Sequence, residues 1–193
     1  PTIGLITLAD DFLPFYFGAE FEASVLPLIV LLPGVVGFSL ARPIFAVGQG
    51  KGDLRILIVA TGVAASINLI LNIILIPAYG SIGAAVATSV GYGLMSLLHT
   101  IAARWIGFDP IRDLRLVRIG LVAGISALAI ICLDILVESS LISLAVVPPA
   151  GFIIYSVLAF RLSAITLEEL EPILTRLPKS LCTHIKLILQ FVS

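Results

Sequence analysis

The positively charged residues of this chain recur at every second break between its long apolar runs. All eleven Lys and Arg residues fall into three groups, and none lies at the intervening breaks. The groups are Arg42, Lys51 and Arg55; then Arg104, Arg112, Arg115 and Arg118; then Arg161, Arg176, Lys179 and Lys186. The intervening breaks hold Asp10, Asp11, Glu20 and Glu22, then the uncharged stretch 77–81, then Asp134 and Glu138. Because cationic loops resist translocation, this alternation predicts a multi-pass membrane protein whose basic breaks are cytoplasmic.

The composition excludes an ordinary soluble domain. Hydrophobic residues make up 60% of the chain and charged residues 12%, against about 25% charged residues in soluble proteins. No basic face interleaved with aromatic residues exists outside the loops, so nucleic acid is not an expected partner. No nucleophile with a matching base and no His/Cys cluster is present, so we expect neither an enzyme nor a metal or other cofactor.

The apolar runs are long enough to span a bilayer, which requires about 20 residues per helix. Five segments qualify: Ala23 to Val47, Leu54 to Pro77, Ser81 to Trp105, Leu114 to Val137 and Leu141 to Leu162. A shorter stretch, Pro1 to Phe17, is interpreted as the remaining part of a sixth helix. The predicted fold is therefore an all-α, six-span transmembrane bundle over residues 1–165.

Residues 166–193 are predicted to form a cytoplasmic amphipathic tail. Glu168, Glu169 and Glu171 fall near the start of a short helix, where carboxylates favour the positive end of the helix dipole. The stretch Ser180 to Phe191 has apolar residues near helical spacing. It either lies in the cytoplasmic headgroup layer or packs on the inner ends of the bundle.

Small residues recur at four-residue spacing within two predicted spans. Gly120 and Gly124 form a GxxxG pair, and Gly83, Ala87 and Gly91 form a longer stripe. This spacing lets transmembrane helices approach closely, so we expect both sets to pack against neighbouring helices.

The stretch 68–88 is the most characteristic part of the chain. Asn68 and Asn72 project from the same helix face, where they are expected to hydrogen-bond across helices or, as the second interpretation, to line a cavity. The helix is expected to stop at Pro77, turn through Gly80 and re-enter the membrane at once. So short a turn predicts two antiparallel neighbouring helices in contact through the small residues around Gly83.

The same stretch resembles a known family. The phrase N-x-x-x-N-x-x-L-I-P-x-Y-G-x-x-G-A-A-x-A-T, with the G-x-G-K turn at 48–51 before it, is similar to the C-terminal half of polysaccharide-biosynthesis flippases. These flippases belong to the multidrug/oligosaccharidyl-lipid/polysaccharide exporter superfamily. The segment F-Y-F-G-A-E-F-E-A-S at 15–24 and the T-L-E-E-L of the tail also fit the family pattern.

The resemblance implies a protein of twelve to fourteen helices in two lobes, of which this chain is the last six. A missing N-terminal lobe would then be a partner of this one. Such proteins move an undecaprenyl- or dolichyl-linked sugar across the cell membrane by alternating access. The sugar-diphosphate head occupies a cationic cavity between the lobes, and the lipid tail runs in a groove beside the last two helices.

Several charged or titratable residues are candidates for this chemistry. Arg42 lies about one and a half helical turns before the cytoplasmic end of its span, where it either pairs with a diphosphate or snorkels to the headgroups. His99 either titrates or packs between helices. Asp10 and Asp11 either serve ion coupling or lie at the outer headgroup boundary, with Pro14 ending their helix.

Two other functions remain open at this point. A multidrug or organic-cation exporter of the same superfamily would share the fold but should use membrane-buried acids to bind its cation. A membrane-embedded transferase or a non-transporting membrane subunit would need headgroup-level catalytic residues or no cavity at all.

Overall fold

The computed structural model describes residues 2–52, 54–112, 115–137 and 140–174. These residues form two compact units. The first contains helices α1 to α3, and the second contains α4 to α6. Helices and turns account for the whole described part, in which no strand occurs, so the predicted all-α membrane bundle is confirmed as a fold class.

The first unit begins with a helix that turns back at a glycine. Helix α1 spans Thr2–Phe17 and continues through Pro14, so the expectation that Pro14 ends this helix is wrong. The helix instead ends at Gly18, whose φ of 111° is a backbone conformation that glycine adopts readily. A 3₁₀ turn, Ala19–Ser24, then leads into α2, Val25–Lys51.

The next helical segment, α3, is a hairpin. It runs from Arg55 to Trp105 but breaks at Gly80, which has φ 56° and ψ −131°. The first arm continues through Pro77, so the expectation that the helix stops at Pro77 is wrong. A side chain at Gly83 would overlap the Leu75 carbonyl oxygen, and one at Gly91 would lie 2.8 Å from Asn68 Cβ. The arms 55–79 and 81–105 are therefore antiparallel and in contact, as the sequence predicts. At the open end of the hairpin, far from the turn, Leu57 packs with Ala102 and Ala103.

Helix α2 runs parallel to the second arm of α3. Gly34 lies directly against Ser89, whose Oγ donates to the Val30 and Leu31 carbonyl oxygens at 2.6 and 3.1 Å. Farther along, the rings of Phe38 and Tyr92 are 4.7 Å apart. Because glycine at position 34 lets the backbones approach, polar bonds that are stabilising in an apolar solvent can form between the helices.

The second unit is a helical hairpin followed by a short helix. Helix α4 spans Leu116–Leu136 and α5 spans Ser140–Arg161, and Ser143 Oγ at one end of α5 donates to the Asp134 carboxylate. Gly151 lies against the Ile130 side chain. These contacts make α4 and α5 antiparallel neighbours.

Helix α6, Leu167–Leu174, has a capping box at its start. The Thr166 backbone N–H donates to Glu169 Oε2 at 2.9 Å, so the carboxylate three residues on satisfies an amide that the helix leaves free. A cytoplasmic tail is predicted for residues 166–193, and α6 is the part of it that the structure describes. The amphipathic stretch Ser180 to Phe191 lies outside the described residues.

Four helices in the described ranges are long and apolar enough to cross a membrane, and their bounds match the sequence prediction closely. They are Ala19–Lys51, Arg55–Trp105, Leu116–Leu136 and Leu141–Arg161. The second of them is folded back at Gly80, and its two arms correspond to two of the predicted spans. Helix α1 has 16 residues, fewer than the about 20 that a span requires.

One packing prediction is not met among the described residues. A side chain added at Gly120 or Gly124 would meet no described residue within 4 Å, so the GxxxG pair mediates no close helix contact within that part of the chain. The 83/87/91 stripe does: Gly83 and Gly91 face the other arm of the hairpin, and Ala87 is fully buried. Identical spacing therefore has different outcomes, because only the second stripe lies on the helix face that contacts the neighbouring helix.

Candidate functional site: a cavity between α2 and α3

A half-open cavity of about 410 Å³ lies between α2 and both arms of α3 in the first unit. Nine residues line it: Phe38, Ala41, Arg42, Phe45, Ala46, Gln49, Thr61, Met95 and His99. The lining is apolar and aromatic with a few polar groups, the usual character of a small-molecule site. It brings together two sequence candidates, Arg42 and His99, from different helices.

His99, on the second arm of α3, connects that arm to the first arm and to α2. Its ring is 2% exposed, and its Nε2 lies 2.9 Å from Thr61 Oγ1 on the first arm of α3. Its Nδ1 lies 3.4 Å from the carbonyl oxygen of Ala41 on α2, and its ring stacks on Phe45. The Thr61 hydroxyl also bonds the Leu57 carbonyl oxygen at 2.9 Å. When Thr61 donates to His99 Nε2 and Nδ1–H donates to the Ala41 carbonyl oxygen, both ring nitrogens have a partner and the cavity wall is held together.

Arg42 is the formally charged residue of the lining. Its side chain is exposed, and its Cζ lies 5.7 Å from the ring centroid of Phe38, one helical turn earlier. The guanidinium thus lies over the aromatic face and keeps its planar set of N–H donors. An anion entering the cavity would meet this group.

Two other cations at this end of the first unit, Lys51 and Arg104, are engaged in local structure. Lys51 Nζ donates to the carbonyl oxygens of Ile106 and Gly107 at 3.3 and 3.4 Å, where α3 ends. Arg104 Nε lies 3.2 Å from Asp109 Oδ2. The Ile111 N–H, donating to Asp109 Oδ1, and the nearby Arg104 together hold the pKa of Asp109 below its ordinary value. Arg42 therefore differs from Lys51 and Arg104 in facing a cavity.

The remaining sequence candidates lie elsewhere. Asn72 Nδ2 donates to the Asn68 backbone and side-chain oxygens at 3.0 and 3.1 Å, so the two asparagines bond within their own helix. The Asn68 side chain packs on Gly91 rather than in the cavity wall. Asp10 is exposed and Asp11 half-buried on α1, and neither lines the cavity.

Sequence reasoning missed Thr61, Gln49 and Met95 as cavity residues. A signal for Thr61 was present, since it precedes Asn68 by seven residues and so shares its helix face. Gln49 and Met95 carry no such signal, because the packing of α2 on the second arm of α3 brings them together.

Two curated proteins are similar to this chain. The probable low-salt glycan biosynthesis flippase Agl15 of Haloferax volcanii is 33% identical over 100 residues, which cover 50% of this chain and 20% of that protein. The uncharacterized membrane protein MJ1068 of Methanocaldococcus jannaschii is 28% identical over 144 residues, which cover 75% of this chain and 27% of that protein. The chain thus spans between about a fifth and about a quarter of the length of these relatives.

No protein-family model matches the chain. No solved structure matches it either. The apolar helices and the two relatives together support a multi-pass membrane protein with distant homology to a glycan-biosynthesis flippase.

Proposed function

We propose that this chain is part of a flippase that moves a lipid-linked oligosaccharide across the cell membrane for surface glycan biosynthesis. The observation that carries the proposal is the similarity to Agl15 over half of the chain. The implied substrate is a polyprenyl-linked sugar, and a further, N-terminal lobe of helices would complete the carrier. The tail from Thr166 onward would lie in the cytoplasm.

The cavity between α2 and α3 is the proposed position of the anionic head group. A diphosphate needs several donors in a site from which bulk water is partly excluded, and Arg42 supplies them in fork geometry. Alternating access would require this wall to move as one piece. The bonds from His99 to Thr61 and Ala41 support that requirement, because they join α2 to both arms of α3. Asn68 and Asn72 then have a packing role and would not contact substrate.

A cation exporter is less well supported by the same cavity. Its described lining contains no carboxylate to bind an organic cation or a coupling ion. Asp10 and Asp11, the candidates for that task, belong to α1 outside the lining. A transferase or a non-transporting subunit would leave the cavity and its arginine unexplained.

Replacing Arg42 by Ala in the full-length protein tests the proposal. A charge-assisted hydrogen bond contributes about 1.5–3 kcal/mol, so we expect glycan output to fall by about ten-fold or more. Lipid-linked glycan should accumulate in the cytoplasmic leaflet. Arg55→Ala is the matched control, since Arg55 is exposed at the same end of the unit and outside the cavity. Wild-type output from Arg42→Ala would remove this residue from the site, and normal outward movement of the intermediate after gene deletion would refute the flippase.

A further inference from the structure

The second unit contains a cationic cluster that the proposed transport site does not use. Arg115 and Arg118, from the start of α4, each donate from Nη1 to the same acceptor, the Ser163 carbonyl oxygen, at 3.1 Å. Cations near the last carbonyls of a helix are favourable, which explains one of these bonds. Two guanidinium groups on one oxygen are necessarily within about 6 Å of each other and repel, so the arrangement attracts an additional anion.

The two arginines differ in how far they are already neutralised. Arg115 Nη1 lies 3.5 Å from Glu169 Oε2, which also caps α6. Glu169 is thus shared between Arg115 and the start of α6. Arg118 is exposed, and its bond is to a neutral carbonyl. The positive charge of Arg118 is therefore the one open to a ligand.

On the C-terminal side of Arg118, the same face of α4 is apolar and exposed. Leu121, Ile125 and Leu128 follow it by three, seven and ten residues and are 52%, 43% and 66% exposed. Residues at this spacing lie in one stripe along a helix. Ten residues correspond to about 15 Å of helix, which is half of the roughly 30 Å hydrocarbon core. The stripe thus has the depth of one leaflet's acyl chains.

We propose that this face of α4 binds one anionic phospholipid of the membrane, with its phosphate on Arg118 and an acyl chain along the stripe. Arginine matches phosphate oxygens with two parallel N–H donors. Its position at the water-facing end of an apolar helix places it at headgroup level. This inference concerns a resident lipid and does not depend on the proposed transport function.

The test measures binding of dioleoylphosphatidylglycerol to the purified full-length protein by native mass spectrometry, with the zwitterionic dioleoylphosphatidylcholine as the comparison lipid. We expect Arg118→Gln to weaken phosphatidylglycerol binding about five-fold, since a basic residue near an anionic surface contributes about that factor. Arg55→Gln, which removes an exposed arginine of the first unit, is the matched control and should have a smaller effect. Arg118→Lys preserves the charge without the fork and should also bind less tightly than wild type.

Equal losses in the Arg118→Gln and Arg55→Gln proteins would overturn the proposal, as would equal binding of the two lipids. A last experiment adds inorganic phosphate as a competitor of the lipid. If it displaces the lipid at comparable concentration, the site binds soluble anions and the lipid assignment is wrong. If Arg118→Gln does not fold, the Arg118→Lys protein decides, and unchanged lipid binding by it contradicts the proposal.

Discussion

The two units have similarly apolar helices but very different packing. In the first, α2 and the arms of α3 meet through glycine, and Ser89 and His99 form polar bonds between them. In the described part of the second unit, Ser143 bonds Asp134 at one end of the helix pair, but Gly120 and Gly124 meet no neighbouring residue and the buried Ser126 hydroxyl has no hydrogen-bond partner. Because lipid is as apolar as leucine, hydrophobicity does not bring helices together within a membrane. Close backbone contact and paired polar groups do, and the first unit has both.

The largest expected difference comes from adding one methyl group to each unit. Gly34→Ala would push a Cβ into the Ser89 backbone and should cost about 1–3 kcal/mol. Gly120→Ala has open space and should gain up to about 1 kcal/mol from helix propensity. Reversible unfolding in mixed micelles measures both. Equal effects of the two substitutions would show that the packing difference between the units is not real.

A smaller contrast concerns the two buried hydroxyl groups. Thr61→Val removes the partner of His99 Nε2 and should cost about 0.5–1.5 kcal/mol. Ser126→Ala removes a hydroxyl that lacks a partner and should leave stability within about 0.5 kcal/mol or raise it. The same unfolding assay compares them, and a larger loss for Ser126→Ala would mean that its hydroxyl has a partner in the membrane.

The smallest effect is confined to the start of α6. The Thr166 N–H bond, with Arg115 nearby, lowers the pKa of Glu169. A carboxylate with a lowered pKa stabilises the folded form above its unfolded pKa, and this contribution is lost as pH falls through the folded value. The amide resonance of Thr166 should therefore shift in acid, with a midpoint below that of an ordinary glutamate. The shift should be absent in Glu169→Gln, and persistence there would assign it to another group.

Much of the first unit could be predicted from local sequence. Helix bounds follow from apolar length, and the hairpin follows from the short break between two spans, because only a tight turn fits there. The turn itself lies at Gly80, and Pro77 is accommodated within the helix. The bond between Asn68 and Asn72 could not be predicted from the sequence, because an amide side chain in a helix can bond within its own helix or to a neighbouring helix.

The cavity could be predicted only in part. Arg42 and His99 stand out by their chemistry, whereas Gln49 and Met95 become wall residues only through the pairing of α2 with α3. The failure at Gly120 has the same origin. Small residues at four-residue spacing indicate that another helix can approach closely. Whether a neighbouring helix is there depends on the rest of the fold.

The most direct test of this account is the membrane sidedness of the α3 hairpin. In full-length protein with every native cysteine replaced by Ser, Cys132 and Cys182 among them, single cysteines are placed at Tyr79, beside the turn, and at exposed Trp105, at the opposite end. A membrane-impermeant maleimide applied to intact cells should label position 79, and position 105 should be labelled only after permeabilisation. Labelling of position 79 only from the cytoplasmic side, or of both positions from outside, would contradict the orientation and with it the proposed carrier.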